Sequence, residues 1–365
     1  MRALIVTDEL MPSGTARHVV DLANGLTECG DSVWVAGFPG SHQSLLGREV
    51  VFVPLPLFRR EDRAKSLAGF VRSIGILLGE VRRHDIRIIH SHKRYSDLLS
   101  RVVARISGTR HLSTCQNLFF DLKILSVFGD FTIACSEEVR RSLVERYGKD
   151  PKRVERIYPG TRPVRVYSTD ERQSVLRDLG AGPHSRVLAS IGHFTRAKDR
   201  WTLVRAAAGI AGLLRESDVV ILVVGDGPDF DGVKRLSAQL GIDDRVRCLP
   251  SMPDVSGVLN VAEFMVLSSA QEGVPYILLE AGSLGKPHIA TAVGGVPEFV
   301  VDGSSGLLVP PSNPELLGGA IARLLRDPGE VRRLGEGARM KYEKDHTYRK
   351  FLESTRAVYE RLLAE

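Results

Sequence analysis

Two glutamates, Glu272 and Glu280, stand eight positions apart in "SAQEGVPYILLEAGSLGKPHIATAVGGVPE", residues 269–298. A Gly-Val-Pro turn separates the first from the apolar run that carries the second. Acids at this spacing occur in many helices as solvated charges. Here the neighbours of Glu280 are Leu278, Leu279 and Ala281. A carboxylate among aliphatic groups is costly unless it accepts hydrogen bonds. A ribose diol supplies two donors, each worth roughly 1.5–3 kcal/mol when bonded to a charge. The loop "QEGVP" sets backbone N–H groups at a helix amino end, an arrangement suited to a phosphate. Glu272 precedes that turn, placed to reach over a ligand cleft. "TAVGGVPEFV" adds a second glycine turn that would face the same cleft.

Other loops carry similar chemistry. In "SIGHFTRAKDRWTLVRAA", Gly192 ends a strand and Lys198 sits near a helix start, where a lysine holds a diphosphate as a point charge. Alone, Lys198 is equally well read as a surface lysine. In "VVGDGPDFDG", Gly225 and Gly227 let the chain turn sharply from strand to helix. This is not the dinucleotide fingerprint G-x-G-x-x-G, because Phe230 holds the last glycine position. The acids of "DFD" at 229–231 have the spacing of a metal-binding pair, but Asp229 reads better as a helix cap.

The elements that must position these residues follow from length and periodicity. A chain of 365 residues suits two domains. β-rich runs alternate with helical patterns throughout. "ALIVT", "SVWVA", "VVFVP", "IRIIH", "HLSTC" and "FTIAC" read as strands of a first series. "RVLASI", "VVILVV", "RVRCL", "EFMVL", "PHIAT" and "GLLVP" read as those of a second. Residues 158–185 read as an irregular boundary. Two βαβ series predict two parallel sheets covered on both faces, with ligands at the carboxyl ends of their strands. Helices are expected near 328–343 and 347–363, the last able to pack back on the first domain.

Bulk properties exclude other classes. The start "MRALIVTDEL" reads as a first strand rather than a signal peptide. No apolar run reaches the ~18 residues that a membrane span needs. Four scattered cysteines form no close pair, which argues against zinc and disulfides and suits a reducing cytosol. Residues 1–168 hold 26 Lys+Arg against 18 Asp+Glu, and residues 48–110 hold 14 against 6. The excess of the first half therefore lies in one segment, read either as a solvated basic surface or as a contact for anionic lipid headgroups. Arg59, Arg60 and Arg63 are its residues of choice for a charge-reversal test. No nucleic acid is expected, since aromatics make up only 6% and no recognition motif is present.

Taken in order, "SGTARHVVDLANGL", "IHSH", "IACSEEVRRSLVERYG", "SIGHFTRAKD", "VGDGP" and E-G-x-P with a glutamate eight beyond the first resemble a known family. It is the retaining nucleotide-sugar glycosyltransferases of family four, glycosyl transferases group 1. The resemblance covers nearly the whole chain. It implies the α/β GT-B fold, with two Rossmann-like doubly wound parallel-sheet domains and an interdomain cleft. Residues 1–168 would form the acceptor-side domain and 169–346 the nucleotide-sugar domain.

The resemblance also implies roles. Glu280 matches the ribose-binding glutamate, and Glu272 the one facing the transferred sugar. Gly273, Val274, Pro275 and Tyr276 would offer backbone to sugar and phosphate, Lys198 would hold the diphosphate, and Gly14 would lie near it. Leu249, Pro250, Ser251 and Met252 would lie beside the base. The implied reaction retains configuration by same-face attack, with no metal and no cofactor beyond the donor. The implied acceptor is a glycan or lipid-linked molecule of envelope polysaccharide or lipopolysaccharide synthesis. The implied location is the cytoplasm, with 48–110 against the inner face of the membrane.

The chain departs from the pattern at several points. His193 stands where the family often has arginine, with Arg196 or Arg200 at hand to compensate. Gln116 replaces a common histidine, keeping hydrogen bonding without charge. Pro159-Gly160 replaces Asn-Gly, and Ser13-Gly14-Thr15-Ala16 replaces Gly-Gly-x-Glu. The competing readings are a non-catalytic sugar-nucleotide or glycan-binding protein and another enzyme on this architecture, such as an epimerase or phosphorylase.

Overall fold

The central strand runs bury most of their residues. Leu4, Ile5 and Val6 are fully enclosed, as is each residue of Val219–Val224. Such unbroken runs belong to parallel sheets covered on both faces. In a strand, successive side chains point to opposite faces. Accordingly, Leu4 and Val6 pack with Leu77, Leu99 and Val103, while Ala3 and Ile5 pack with Val19, Leu22 and Leu26 on the other face. Each enclosed aliphatic side chain contributes about 1.5–3 kcal/mol.

The computed structural model describes residues 1–11, 13–56, 63–116 and 128–365, except the side chains of 63–66. Arg59, Arg60 and the side chain of Arg63 lie outside the described residues. The chain divides into two units, Met1–Gly160 with Tyr348–Glu365, and Thr161–Thr347. Among the described residues, the first unit holds β1 (Arg2–Glu9), β2 (Ser32–Phe38), β3 (Val51–Pro54), β4 (Ile88–His92), β5 (Arg110–Cys115), β6 (Phe131–Ala134) and β7 (Val154–Arg156). They form one parallel sheet in the order β3-β2-β1-β4-β5-β6-β7. The second unit holds β8 (Arg186–Ile191), β9 (Val219–Val224), β10 (Val246–Leu249), β11 (Ala262–Leu267), β12 (His288–Thr291) and β13 (Gly306–Val309). Their order is β10-β9-β8-β11-β12-β13. Sheet order therefore reverses between β1 and β4 in the first unit and between β8 and β11 in the second. In open α/β sheets, ligands bind outside the strand ends at such switch points.

The C-terminal helix Tyr348–Ala364 belongs to the first unit. Phe351, Leu352, Val358, Tyr359 and Leu362 enter the cluster that contains Ile5 and Leu22. Tyr348 donates to the Asp21 carbonyl at 2.8 Å.

Three features differ from the sequence reading. The unit boundary falls after Gly160 rather than at 168, because the next residues bond to the second unit. Thr161 N donates to His346 O, Val164 N to Ser283 Oγ and Tyr167 N to Asn260 Oδ1. Residues 158–185 are not wholly irregular, since they hold the helix Thr169–Asp178. It starts at a capping box in which Ser168 and Glu171 satisfy each other's backbone donors. Asp229 stands at the N-cap of the helix Phe230–Gln239, yet its side chain makes no capping bond. Among the described residues, no helix is long and apolar enough to cross a membrane.

Candidate functional site

In the second unit, the loops after β8 and β11 flank the switch point and are tied together. Ala270 N and Gln271 N both donate to Ala197 O, at 2.8 and 3.0 Å. Ser268 Oγ reaches Asp199 O at 2.9 Å. Across this seam Lys198 Nζ donates to Glu272 Oε2, which also accepts from Ser269 Oγ at 3.1 Å. The Glu272 side chain is 7% exposed and that of Lys198 25%. Thr291 Oγ1 fixes the same loop by donating to Ser269 O at 2.6 Å. The arrangement presents a held carboxylate and a partly accessible ammonium at the carboxyl ends of the strands. Such a pair can exchange partners when an anion arrives.

Glu280 lies on the helix Tyr276–Ser283 and is half-buried. The sequence reading set it amid aliphatic residues. The helix instead turns Leu278, Leu279 and Ala281 into the core and leaves Glu280 at the boundary, so its desolvation cost is smaller than the sequence suggested. Gly273 and Val274 are half-buried, while Pro275 and Tyr276 are buried. The helix begins without a side-chain cap. However, Tyr276 N already donates to Val274 O, so not every N–H of this turn is open to a phosphate.

The loops after β8 and β9 touch closely. A side chain at Gly225 would overlap the Gly192 carbonyl, and one at Gly227 would overlap that of Phe194. Both glycines also hold positive φ, 155° and 138°. His193 is 48% exposed and its Nδ1 lies 2.7 Å from Asp226 Oδ1. Arg196 is exposed. Gly225 N donates to Leu249 O at 3.0 Å, which brings the stretch Leu249, Pro250, Ser251 and Met252 beside this turn. Pro250 and Ser251 are exposed there, while Leu249 and Met252 lean on the core.

Gly14 and Gln116 belong to the first unit. Gly14 opens the helix Gly14–Glu28, and the adjacent Thr15 Oγ1 donates to Gln116 Oε1 at 2.5 Å. Gln116 is 8% exposed, and its Nε2 has no hydrogen-bond partner among the described residues. It lines a cavity of about 300 Å³ with Asp8, Thr15, Lys93, Arg94 and Asp97, at the β1/β4 switch point. Asp8 Oδ1 accepts from Ser96 N and Oγ at 3.0 and 2.6 Å. Burial nevertheless pushes its carboxyl above the usual range. Asp97 accepts from Ser91 Oγ at 2.5 Å, and burial pushes it up to about 7. Lys93, at φ 76°, bonds to Glu9 at 3.2 Å.

Sequence reasoning missed Asp8, Thr15, Lys93, Arg94 and Asp97 as pocket residues. Their signal was position, since they end β1 and β4 or follow them. It also missed Ser269, which shows no motif of its own. Among the described residues, no cluster of three His, Cys, Asp or Glu side chains has metal-holding geometry.

Two doubly wound parallel sheets in one chain are the architecture of the GT-B fold, and solved structures bear this out. Anabaena HepE, solved in complex with UDP and glucose, matches with a TM-score of 0.86 at 17% identity, covering 99% of each chain. The chain belongs to glycosyltransferase family 4. The model described as "Glycosyltransferase Family 4" matches residues 12–165, and "Glycosyl transferases group 1" matches 172–341. The D-inositol 3-phosphate glycosyltransferase of Frankia alni is 30% identical over 361 residues, covering 88% of each chain. The protein of the same name from Streptomyces bingchenggensis is 34% identical over 221 residues, 58% of this chain and 48% of that one. The match thus spans about half the length of that relative.

Proposed function

We propose that the protein is a retaining glycosyltransferase. It binds a nucleotide-diphosphate sugar on the second unit and passes the sugar to an acceptor hydroxyl held by the first. The observation that carries this reading is the Lys198–Glu272 pair, held at the β8/β11 switch point by bonds from both loops. On donor binding Lys198 turns from Glu272 to the diphosphate, where its charge offsets that of the leaving group. Glu272 then faces the transferred sugar, and Glu280 accepts from the ribose hydroxyls. Leu249–Met252 serve the base side, Gly14 the diphosphate, and Gln116 the acceptor side. Catalysis is mainly positioning, with same-face attack aided by the departing diphosphate.

The relatives' printed name points to a phosphorylated polyol as acceptor. Lys93 and Arg94 at the first-unit cavity suit one, while Asp8 and Gln116 suit hydroxyls. A phosphorylated polyol is therefore the first acceptor to test, ahead of a lipid-linked envelope glycan. Membrane contact through 48–110 is a separate proposal, tested by co-sedimentation with anionic vesicles at low salt.

The central test is a thermal-shift series with UDP, GDP and ADP, followed by transfer from the matching sugar donors to inositol phosphates and glycans. A diphosphate at 100 times its dissociation constant stabilises by about 2.7 kcal/mol. Product anomeric configuration, read by NMR, decides retention. No stabilisation by any of the three would defeat the reading.

A further inference from the structure

Arg200 opens the helix Arg200–Gly209 and is only 1% exposed. Arginine is almost never fully buried without a paired anion. Here Nη1 donates to Ser190 Oγ, a neutral group whose own proton goes to Val266 O at 2.5 Å. Among the described residues, Nε and Nη2 have no hydrogen-bond partner. The adjacent acid does not neutralise it. Asp199 caps the helix, accepting from Thr202 N at 3.2 Å and Thr202 Oγ1 at 2.7 Å. Burial pushes the guanidinium down to about 10, which leaves it charged at neutral pH, and Glu272 and Cys248 pull the other way.

The position of this cation is specific. Nη2 lies under the turn that ends β8, where a Cβ on Gly192 would stand 3.2 Å from it. Gly192 itself has φ 139°. One residue before the N-cap, Lys198 is bonded to Glu272. The carboxylate of Glu272 is nearly enclosed, so departure of Lys198 would leave a poorly solvated anion behind.

We propose that Arg200 is a fixed counter-charge beneath the donor's diphosphate, a positioning residue that holds Glu272 when Lys198 turns from it to the donor. The proposal rests on reading the second unit as the diphosphate half-site. Arg200 does not touch the donor. It keeps the local charge balanced as Lys198 changes partner, and its field adds to the attraction for a dianionic group in a low-dielectric setting. A buried cation hydrogen-bonded to no anion is an arrangement that folding alone would not favour, since a well-packed apolar side chain of similar volume is often the more stable choice.

The test uses the full chain with R200M and R200K. Calorimetry measures UDP, GDP and ADP beside uridine, guanosine and adenosine, and unfolding midpoints are recorded for each protein. R200M is expected to keep or raise the midpoint while binding the preferred diphosphate about 10-fold more weakly. Nucleoside affinity should stay within about twofold, and R200K should recover most of the diphosphate affinity. An unchanged ratio of diphosphate to nucleoside affinity in R200M overturns the proposal, whatever the midpoint does. If R200M does not fold, R200K decides by the same ratio against the wild type. R200K with near-native diphosphate affinity upholds the counter-charge, and equal weakening of both ligands overturns it. Failure of the wild type to bind any of the three diphosphates would instead remove the half-site reading beneath it.

Discussion

The carbonyl oxygen of Glu272 occupies the space that a side chain at position 294 would need, and Gly294 holds a φ of 51° there. The glycine turn after β12 thus sets the height of the Glu272 loop. G294A strains its own backbone, at about 1–3 kcal/mol, and must also displace that loop. The expected outcome is at least about a 10-fold loss of turnover with the fold retained, since 1.36 kcal/mol of barrier is tenfold in rate. Steady-state kinetics beside circular dichroism checks this. Wild-type turnover in G294A would show that the Glu272 loop tolerates displacement.

Separate roles for the acids predict separate losses. Glu280→Ala should weaken nucleotide binding by about 10- to 100-fold, the value of one charge-assisted hydrogen bond. Glu272→Ala should leave nucleotide binding within a few-fold and abolish transfer. Lys198→Ala should lose diphosphate affinity and turnover together. Calorimetry and single-turnover assays distinguish the three, and full turnover in both glutamate variants would end the assignment.

Gln116 lines the first-unit cavity and its Nε2 has no hydrogen-bond partner among the described residues, so an acceptor hydroxyl is its expected partner. Gln116→Ala should raise the acceptor KM by about 10-fold, the loss of one buried hydrogen bond, while donor affinity stays unchanged. Thr15→Val should act the same way but more weakly, because Thr15 only orients the amide. A change in donor affinity without a change in acceptor KM would place Gln116 elsewhere in the reaction.

Four buried histidines of the first unit predict acid lability. Burial pushes His18 and His111 down to about 3 and holds His90 and His92 well below the ordinary value. The folded state therefore keeps these imidazoles neutral, while the unfolded state takes up protons below about pH 6.5. Their contribution is intact above that pH and is lost as pH falls toward about 3, by about 1.4 kcal/mol per pH unit for each. Asp97, raised to about 7, has the opposite sign: its contribution falls as pH rises from about 4 to about 7. Asp8, also raised by burial, shares that sign, and four groups outweigh two, so urea unfolding should show lower stability at pH 5 than at pH 7. Stability unchanged or higher at pH 5 would contradict neutral burial.

The alternation of strands and helices was legible because hydrophobic period is a local property. "VVILVV", short and rich in β-branched residues, reads as an enclosed strand, and "ALIVT" opens a first sheet. Lys198 and Glu272 were legible by type, but their pairing was not, since 74 residues separate them and only the sheet order joins their loops. The burial of Arg200 was invisible because arginine normally faces water. Gly294 read as a turn, and only the fold shows which carbonyl it makes room for. The helix Thr169–Asp178 was missed because Pro163 and Pro183 mark its surroundings as loop, although the Ser168–Glu171 box was in plain view.

The chain leaves the first unit after Gly160 and returns at Tyr348, and Thr161 pairs with Thr347 where the two crossings meet. On the ribosome this inverts the usual succession, in which the amino-terminal domain is finished first. Thr161–Thr347 is wholly synthesised while the first sheet still lacks Phe351, Leu352, Val358 and Tyr359. A nascent polypeptide halted before these residues carries a finished Thr161–Thr347 unit and an amino-terminal sheet with part of one apolar face uncovered, the species that chaperones must shield.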